Sequence, residues 1–192
     1  EKQQLIQPQS LVFELRSQQH YTARVLSNYD QYKREGQTIS RMDYYSYQEA
    51  CLQDAFDKPE RADKCAAIFQ DMLDDGFIPT NCCYTNLMQT YARAKLPDKT
   101  YQVYDDFQKA IAAQSKDPYE YNPHDLKNGM HFTGEALPKL EPDYMAMATL
   151  IRANALVDDE DRARTAYDNM KKQFSIPDHA TFERVYKALK EL

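Results

Sequence analysis

Residues 144–178 read YMAMATLIRANALVDDEDRARTAYDNMKKQFSIPD, and this stretch decides the fold because its pattern recurs elsewhere in the chain. It ends on Ser175-Ile176-Pro177-Asp178, and similar endings stand at Leu140-Glu141-Pro142-Asp143 and Phe77-Ile78-Pro79-Thr80. Five residues past the three prolines come Tyr84, Met147 and Phe182, and eight past come Leu87, Leu150 and Val185. Offsets of 21, 25 and 28 give Thr100, Tyr104 and Phe107 after Pro79, and Ala163, Tyr167 and Met170 after Pro142. Counting back 14, 10 and 7 from Pro79 gives Cys65, Phe69 and Met72. The same steps back from Pro177 give Ala163, Tyr167 and Met170 again. Pro142 and Pro177 are 35 apart, whereas Pro79 and Pro142 are 63 apart, which is 35 plus 28. A fixed period of this size is the mark of a repeat architecture, with an extra segment in the middle unit.

Each unit reads as two helices. Tyr84, Leu87, Met88 and Tyr91 share one face at helical spacing, and Tyr101, Val103, Tyr104 and Phe107 do so after a polar break. That break, Lys95-Leu96-Pro97-Asp98, places Pro97 in the first turn of the second helix. In the last full unit Met147, Leu150, Ile151 and Asn154 form the first stripe and Ala163, Ala166, Tyr167 and Met170 the second. Between them Asp158-Asp159-Glu160-Asp161 supplies acids suited to a helix start, with no calcium-loop spacing around it. The small Thr100 and Ala163 allow close helix-to-helix approach. Gly36 and Gly76 read as helix ends that need a left-handed residue.

The chain divides into an N-terminal capping region over 1–40, striped by Leu11, Val12, Leu15, Tyr21, Val25, Leu26, Tyr29 and Tyr32. Repeat 1 follows over 41–80 and repeat 2 over 81–143, with its insert at about 108–139. Repeat 3 spans 144–178, and a C-terminal helix fills 179–192. Repeat 1 is about five residues too long, which leaves the start of its first helix open. The second helix of repeat 2 is expected to run on through Ala112-Ala113. The remaining insert holds Pro118, Pro123, Pro138, Gly129 and Gly134 and reads as a long loop. Its aromatics Tyr119, Tyr121 and Phe132 are candidate protein contacts, while His124 and His131 read as surface residues.

Composition narrows the function. The 192 residues carry 24 bases against 30 acids, a net charge of −6, which speaks against a free-standing module held by phosphate contacts. Four glycines and no G-x-G-x-x-G, G-x-x-x-x-G-K, G-x-S-x-G or H-E-x-x-H leave little scope for catalysis, and no cofactor is expected. Cys51, Cys65, Cys82 and Cys83 lack zinc spacing and read as reduced thiols, mostly packed. No apolar run approaches the roughly 20 residues of a membrane helix. Glu1-Lys2-Gln3-Gln4 reads as neither a signal nor a transit peptide.

The 35-residue unit has a near-terminal proline, and its second helix carries a small residue, an aromatic and a Met or Phe. It resembles the pentatricopeptide repeat. The tetratricopeptide repeat has a similar period, but its Trp and Leu-Gly signature is missing. The resemblance implies an all-α fold, a right-handed α-solenoid of antiparallel helix pairs whose first helices line a concave groove. In that family each unit reads one RNA base through the fifth residue of the first helix and the last residue of the unit. Carried over, the pairs are Tyr45 with Thr80, Thr85 with Asp143, and Ala148 with Asp178; of these, Thr85 with Asp143 alone has base-reading chemistry. Residues 41–80 hold nine acids and four bases, or −5, which disfavours RNA. Length, three units and acidity are similar to those of pentatricopeptide-like accessory subunits of the euglenozoan mitochondrial F1-ATPase, which sit outside the α subunit. The resemblance therefore implies a non-catalytic, protein-binding scaffold in the mitochondrial matrix, with an RNA-associated protein, free or in a mitochondrial ribosome, as the alternative.

Overall fold

The computed structural model describes residues 8–114 and 139–192, with side chains from residue 20 onward. Among the described residues there are eight helices and no strand. They are α1 (Pro8–Glu35), α2 (Arg41–Asp54), α3 (Arg61–Asp74), α4 (Asn81–Arg93) and α5 (Pro97–Ala113), then α6 (Tyr144–Ala155), α7 (Glu160–Gln173) and α8 (Phe182–Glu191). The insert aromatics Tyr119, Tyr121 and Phe132, with His124 and His131, lie outside the described residues.

Helices pack in sequential pairs: α2 with α3, α4 with α5, α6 with α7. The first members also meet each other, α2 against α4, α4 against α6 and α6 against α8, while α1 lies on α2. Each second helix touches the next first helix, α3 on α4 and α5 on α6. The apolar stripes produce this order. Cys65, Thr100 and Ala163, which align in the sequence pattern, are all 0% exposed. One turn and more along, Met72, Phe107 and Met170 are buried as well. On the first helices, Tyr84, Met147 and Phe182 are all buried, as are Leu87 and Leu150. Two clusters of buried residues result, one around α1–α4 and one around α4–α8, joined through Phe69 and Val103, which pack against both.

Four helices end the same way. One to three residues past the helix the backbone turns left-handed, and the next amide donates back across the turn: Gln37 to Tyr32 O (3.0 Å), Phe77 to Met72 O (3.1 Å), Leu96 to Tyr91 O (3.0 Å) and Asp159 to Asn154 O (3.0 Å). Gly36 (φ 64°) and Gly76 (φ 84°) supply that backbone at no steric cost, as expected. Lys95 (φ 59°) and Asp158 (φ 60°) supply it with a side chain attached, at matching places in the second and third units. A Cβ in this region is strained. Lys95→Gly is therefore expected to stabilise the fold by about 0.5–1 kcal/mol, the relief exceeding the added freedom of the unfolded chain. The urea midpoint measures it, and a lower midpoint contradicts it.

The unit over 41–80 is long because of its internal connection. Residues 55–60 join α2 to α3, where 94–96 and 156–159 serve the other two pairs. Asp54 anchors that connection through Lys58 Nζ (3.0 Å) and Arg61 Nε (3.7 Å). The start of α2 is set by Ser40: its hydroxyl accepts from the Asp43 amide (3.2 Å), and the Asp43 carboxylate accepts from the Ser40 amide (3.3 Å).

Tyrosine is the main polar component of the core. The Tyr29 hydroxyl donates to Asp71 and that of Tyr44 to Asp75 (2.5 Å). Burial, then the carboxylate partner, pushes both phenols well above the usual range. Burial raises Tyr84, Tyr91, Tyr101 and Tyr104 in the same direction. A group whose folded pKa lies above its unfolded value gives stability that is complete below the unfolded pKa. Stability should therefore hold up to about pH 10 and fall as the pH climbs beyond it. Urea midpoints from neutral to strongly alkaline pH test this, and the Tyr29→Phe, Tyr44→Phe double variant should show a shallower alkaline decline.

Candidate functional site

The row of first helices leaves one face open. On α2 it carries Met42, Tyr45 and Glu49, on α4 Cys82, Gln89 and Arg93, and on α6 Met145, Ala148 and Arg152, all at helical spacing. Met42 is 70% exposed, Cys82 and Met145 are exposed, and Tyr45, Gln89, Arg93, Ala148 and Arg152 are half-buried. Neighbouring helices in the row therefore contribute adjacent strips of one surface.

The N-terminal end of this face is mostly apolar or neutral. Tyr45 lies among Cys82, Glu49 and Asn86; burial raises its phenol, Cys82 and Glu49 add to that, and Asn86 partly offsets it. Thr85 is 7% exposed, and its hydroxyl donates to the carbonyls of Asn81 (2.9 Å) and Cys82 (3.2 Å) in its own helix. The Asp143 carboxylate accepts from the Met145 amide (2.8 Å) and caps α6. Both polar groups of the pair with base-reading chemistry are thus engaged within their own helix or cap. Thr80 precedes α4, with its hydroxyl 3.4 Å from Cys83 Sγ. Ala148 offers no polar atom, and Asp178 is exposed in the connection before α8.

Two side-chain amides hold the chain just ahead of α6. Gln114 bonds both sides of the Leu140 peptide (Nε2 to O 2.7 Å, Oε1 from N 2.9 Å). Asn81 does the same to Glu141 (Nδ2 to O 3.1 Å, Oδ1 from N 3.3 Å). This double pairing imitates a peptide partner and satisfies backbone that α4 and α5 flank. It ties the beginning of α4 to the entrance of α6. α5 itself extends to Ala113, as the sequence indicated.

The C-terminal end of the face is basic. Arg93 donates from Nη1 to Leu52 O (2.9 Å), which bridges α4 to the last turn of α2. Burial lowers its pKa, and burial together with the charge of Arg93 lowers that of Arg152. The Nε atoms of both arginines are buried without a hydrogen-bond partner among the described residues. Repeat logic, which stops at the fifth residue of each unit, passed these two over. The signal was present as i, i+4 spacing: Thr85, Gln89 and Arg93, then Ala148 and Arg152.

Elsewhere the polar clusters serve structure. Asp159 accepts from the Arg162 amide (3.1 Å) and starts α7, with Glu160 and Asp161 in its first turn. Cys51, Cys65 and Cys83 are buried free thiols, and Cys82 is free and exposed. A hydrogen bond with Cys51, then burial, raises the Cys65 thiol and makes it a poor nucleophile. Among the described residues no three His, Cys, Asp or Glu side chains gather as a metal site, and no helix is long and apolar enough to cross a membrane. No protein-family model matches the sequence, and no curated protein matches it either.

Proposed function

We propose that the chain is a pentatricopeptide-type α-solenoid serving as a non-catalytic, protein-binding subunit of a mitochondrial assembly. The observation that carries this reading is the open face of α2, α4 and α6. It offers Met42, Tyr45 and Met145 to contact, while Thr85 is buried with its hydroxyl donated within its own helix and Asp143 caps α6. Aromatic and methionine side chains on a preformed surface suit a polypeptide. Recurrent burial at Cys65, Thr100 and Ala163, and packing confined to neighbouring helices, support the solenoid. The partner we favour is the F1 part of ATP synthase, with this chain against the outside of the α subunit and holding no nucleotide.

Native purification of the tagged protein, followed by identification of what travels with it, tests the proposal. F1 subunits are the expected result. Recovery of RNA or ribosomal proteins in their place overturns it.

A further inference from the structure

Helices α4 and α6 are nearly without charge. The sequence of α4 (NCCYTNLMQTYAR) contains Arg93 and no acid, and that of α6 (YMAMATLIRANA) contains Arg152 and no acid. In a chain that is 28% charged, the one ionised group on each is an arginine, and the two stand on helices that pack together, near enough for their charges to oppose. Arg93 is held by α2 through the Leu52 carbonyl. The Arg152 side chain makes no hydrogen bond or ion pair among the described residues. Its Nε, like that of Arg93, is enclosed with nothing to donate to. Asp54, the last residue of α2, is already taken by Lys58 and Arg61.

From this geometry we infer that Arg93 and Arg152 form a receptor for a carboxylate, an Asp or Glu side chain on the partner polypeptide. Two like charges half out of water oppose each other, and their unpaired Nε donors cost free energy. A single carboxylate set between them offsets the repulsion through the Nη groups, because a planar guanidinium presents paired donors matched to its two oxygens. The bond of Arg93 to Leu52 holds one fork in place before binding, so less side-chain freedom is lost. A nucleic-acid strand fits less well. It needs a track of positive charge along the groove, and neither α4 nor α6 supplies a further cation. The inference rests on the protein-binding reading above and specifies the chemistry that the partner brings to this end of the face.

The test is nitrogen–proton NMR of the arginine Nε–H groups in the intact protein. The probes are a Gly-Glu-Gly-Glu-Gly peptide amide, its glutamine counterpart and a short oligouridylate. The glutamate peptide should shift the Arg93 and Arg152 signals saturably below about 10 mM, and the glutamine peptide should not. Arg152→Gln should weaken the glutamate peptide about tenfold while leaving the backbone amide spectrum in place, since the Arg152 side chain bonds nothing in the fold. Equal binding of both peptides overturns the inference, as does the absence of a saturable shift. Tighter binding of oligouridylate at the same two signals also overturns it, in favour of phosphate. If native purification returns a protein partner while these signals stay silent, the carboxylate receptor fails and the protein-binding reading stands.

Discussion

Phe107→Ala is expected to cost about 3–5 kcal/mol, which for a domain of this size is a large part of the total stability. Phe107 is fully enclosed on α5, and its ring stacks on Tyr84 of α4 with centroids 4.8 Å apart and planes 24° off parallel. Tyr84 in turn meets Phe69 of α3 edge-on at 5.2 Å. Removing the ring therefore opens a void where the second helix of one unit, its first helix and the second helix of the unit before converge. The lost transfer free energy and the cavity add, because neighbours held by two helix pairs relax little. Urea unfolding followed by circular dichroism measures the loss. Met42→Ala on the exposed face serves as the control and should change stability by less than about 0.5 kcal/mol. A loss below about 1 kcal/mol at Phe107 would contradict the packing described here.

The second large effect is expected from added volume. Ala163→Leu should destabilise by about 2–3 kcal/mol. Ala163 lies at the start of α7 with no exposed surface, in the position that Thr100 and Cys65 occupy in the other units. At this point α7 and α6 are close, and Leu would force rotamers off their minima or push the helices apart. Asp168→Leu adds the same side chain on the exposed side of α7 and should be nearly neutral. If the two variants unfold at the same urea concentration, the close approach is not there.

How far the residues alone reveal this structure depends on what each part needs. Helix ends at Gly36 and Gly76 are legible because the left-handed backbone favours glycine strongly enough to leave a mark. The equivalent turns at Lys95 and Asp158 carry no such mark, since tertiary packing pays the strain there. Small residues at Cys65, Thr100 and Ala163 are legible through their spacing, because side-chain volume at a helix crossing is a local requirement. The six-residue connection at 55–60 is harder to read. Its length is visible as a surplus in the repeat, but the Asp54 pairing that fixes its path depends on two residues further along the chain. The N-terminus of α2 has a readable signal in Ser40 and Asp43, the reciprocal cap.

At the candidate site, sequence reasoning places Tyr45 and Ala148 on the open face and puts Thr85 beside them. It does not show that Thr85 spends its hydroxyl on its own helix, since that choice is made by rotamer and burial. Arg93 and Arg152 belong to different units, and only the packing of α4 on α6 makes them neighbours. The double amide pairing of Gln114 and Asn81 is of the same kind. It joins residues on either side of the insert, with no local pattern to announce it.

Site-specific photo-crosslinking in the native assembly decides whether the open face holds a polypeptide. A photoreactive amino acid replaces Gln89, on the open face of α4, and in a separate variant Lys171, on the exposed side of α7. The account predicts a polypeptide adduct from position 89 and none from position 171. An adduct confined to position 171, or an RNA adduct at position 89, would contradict it.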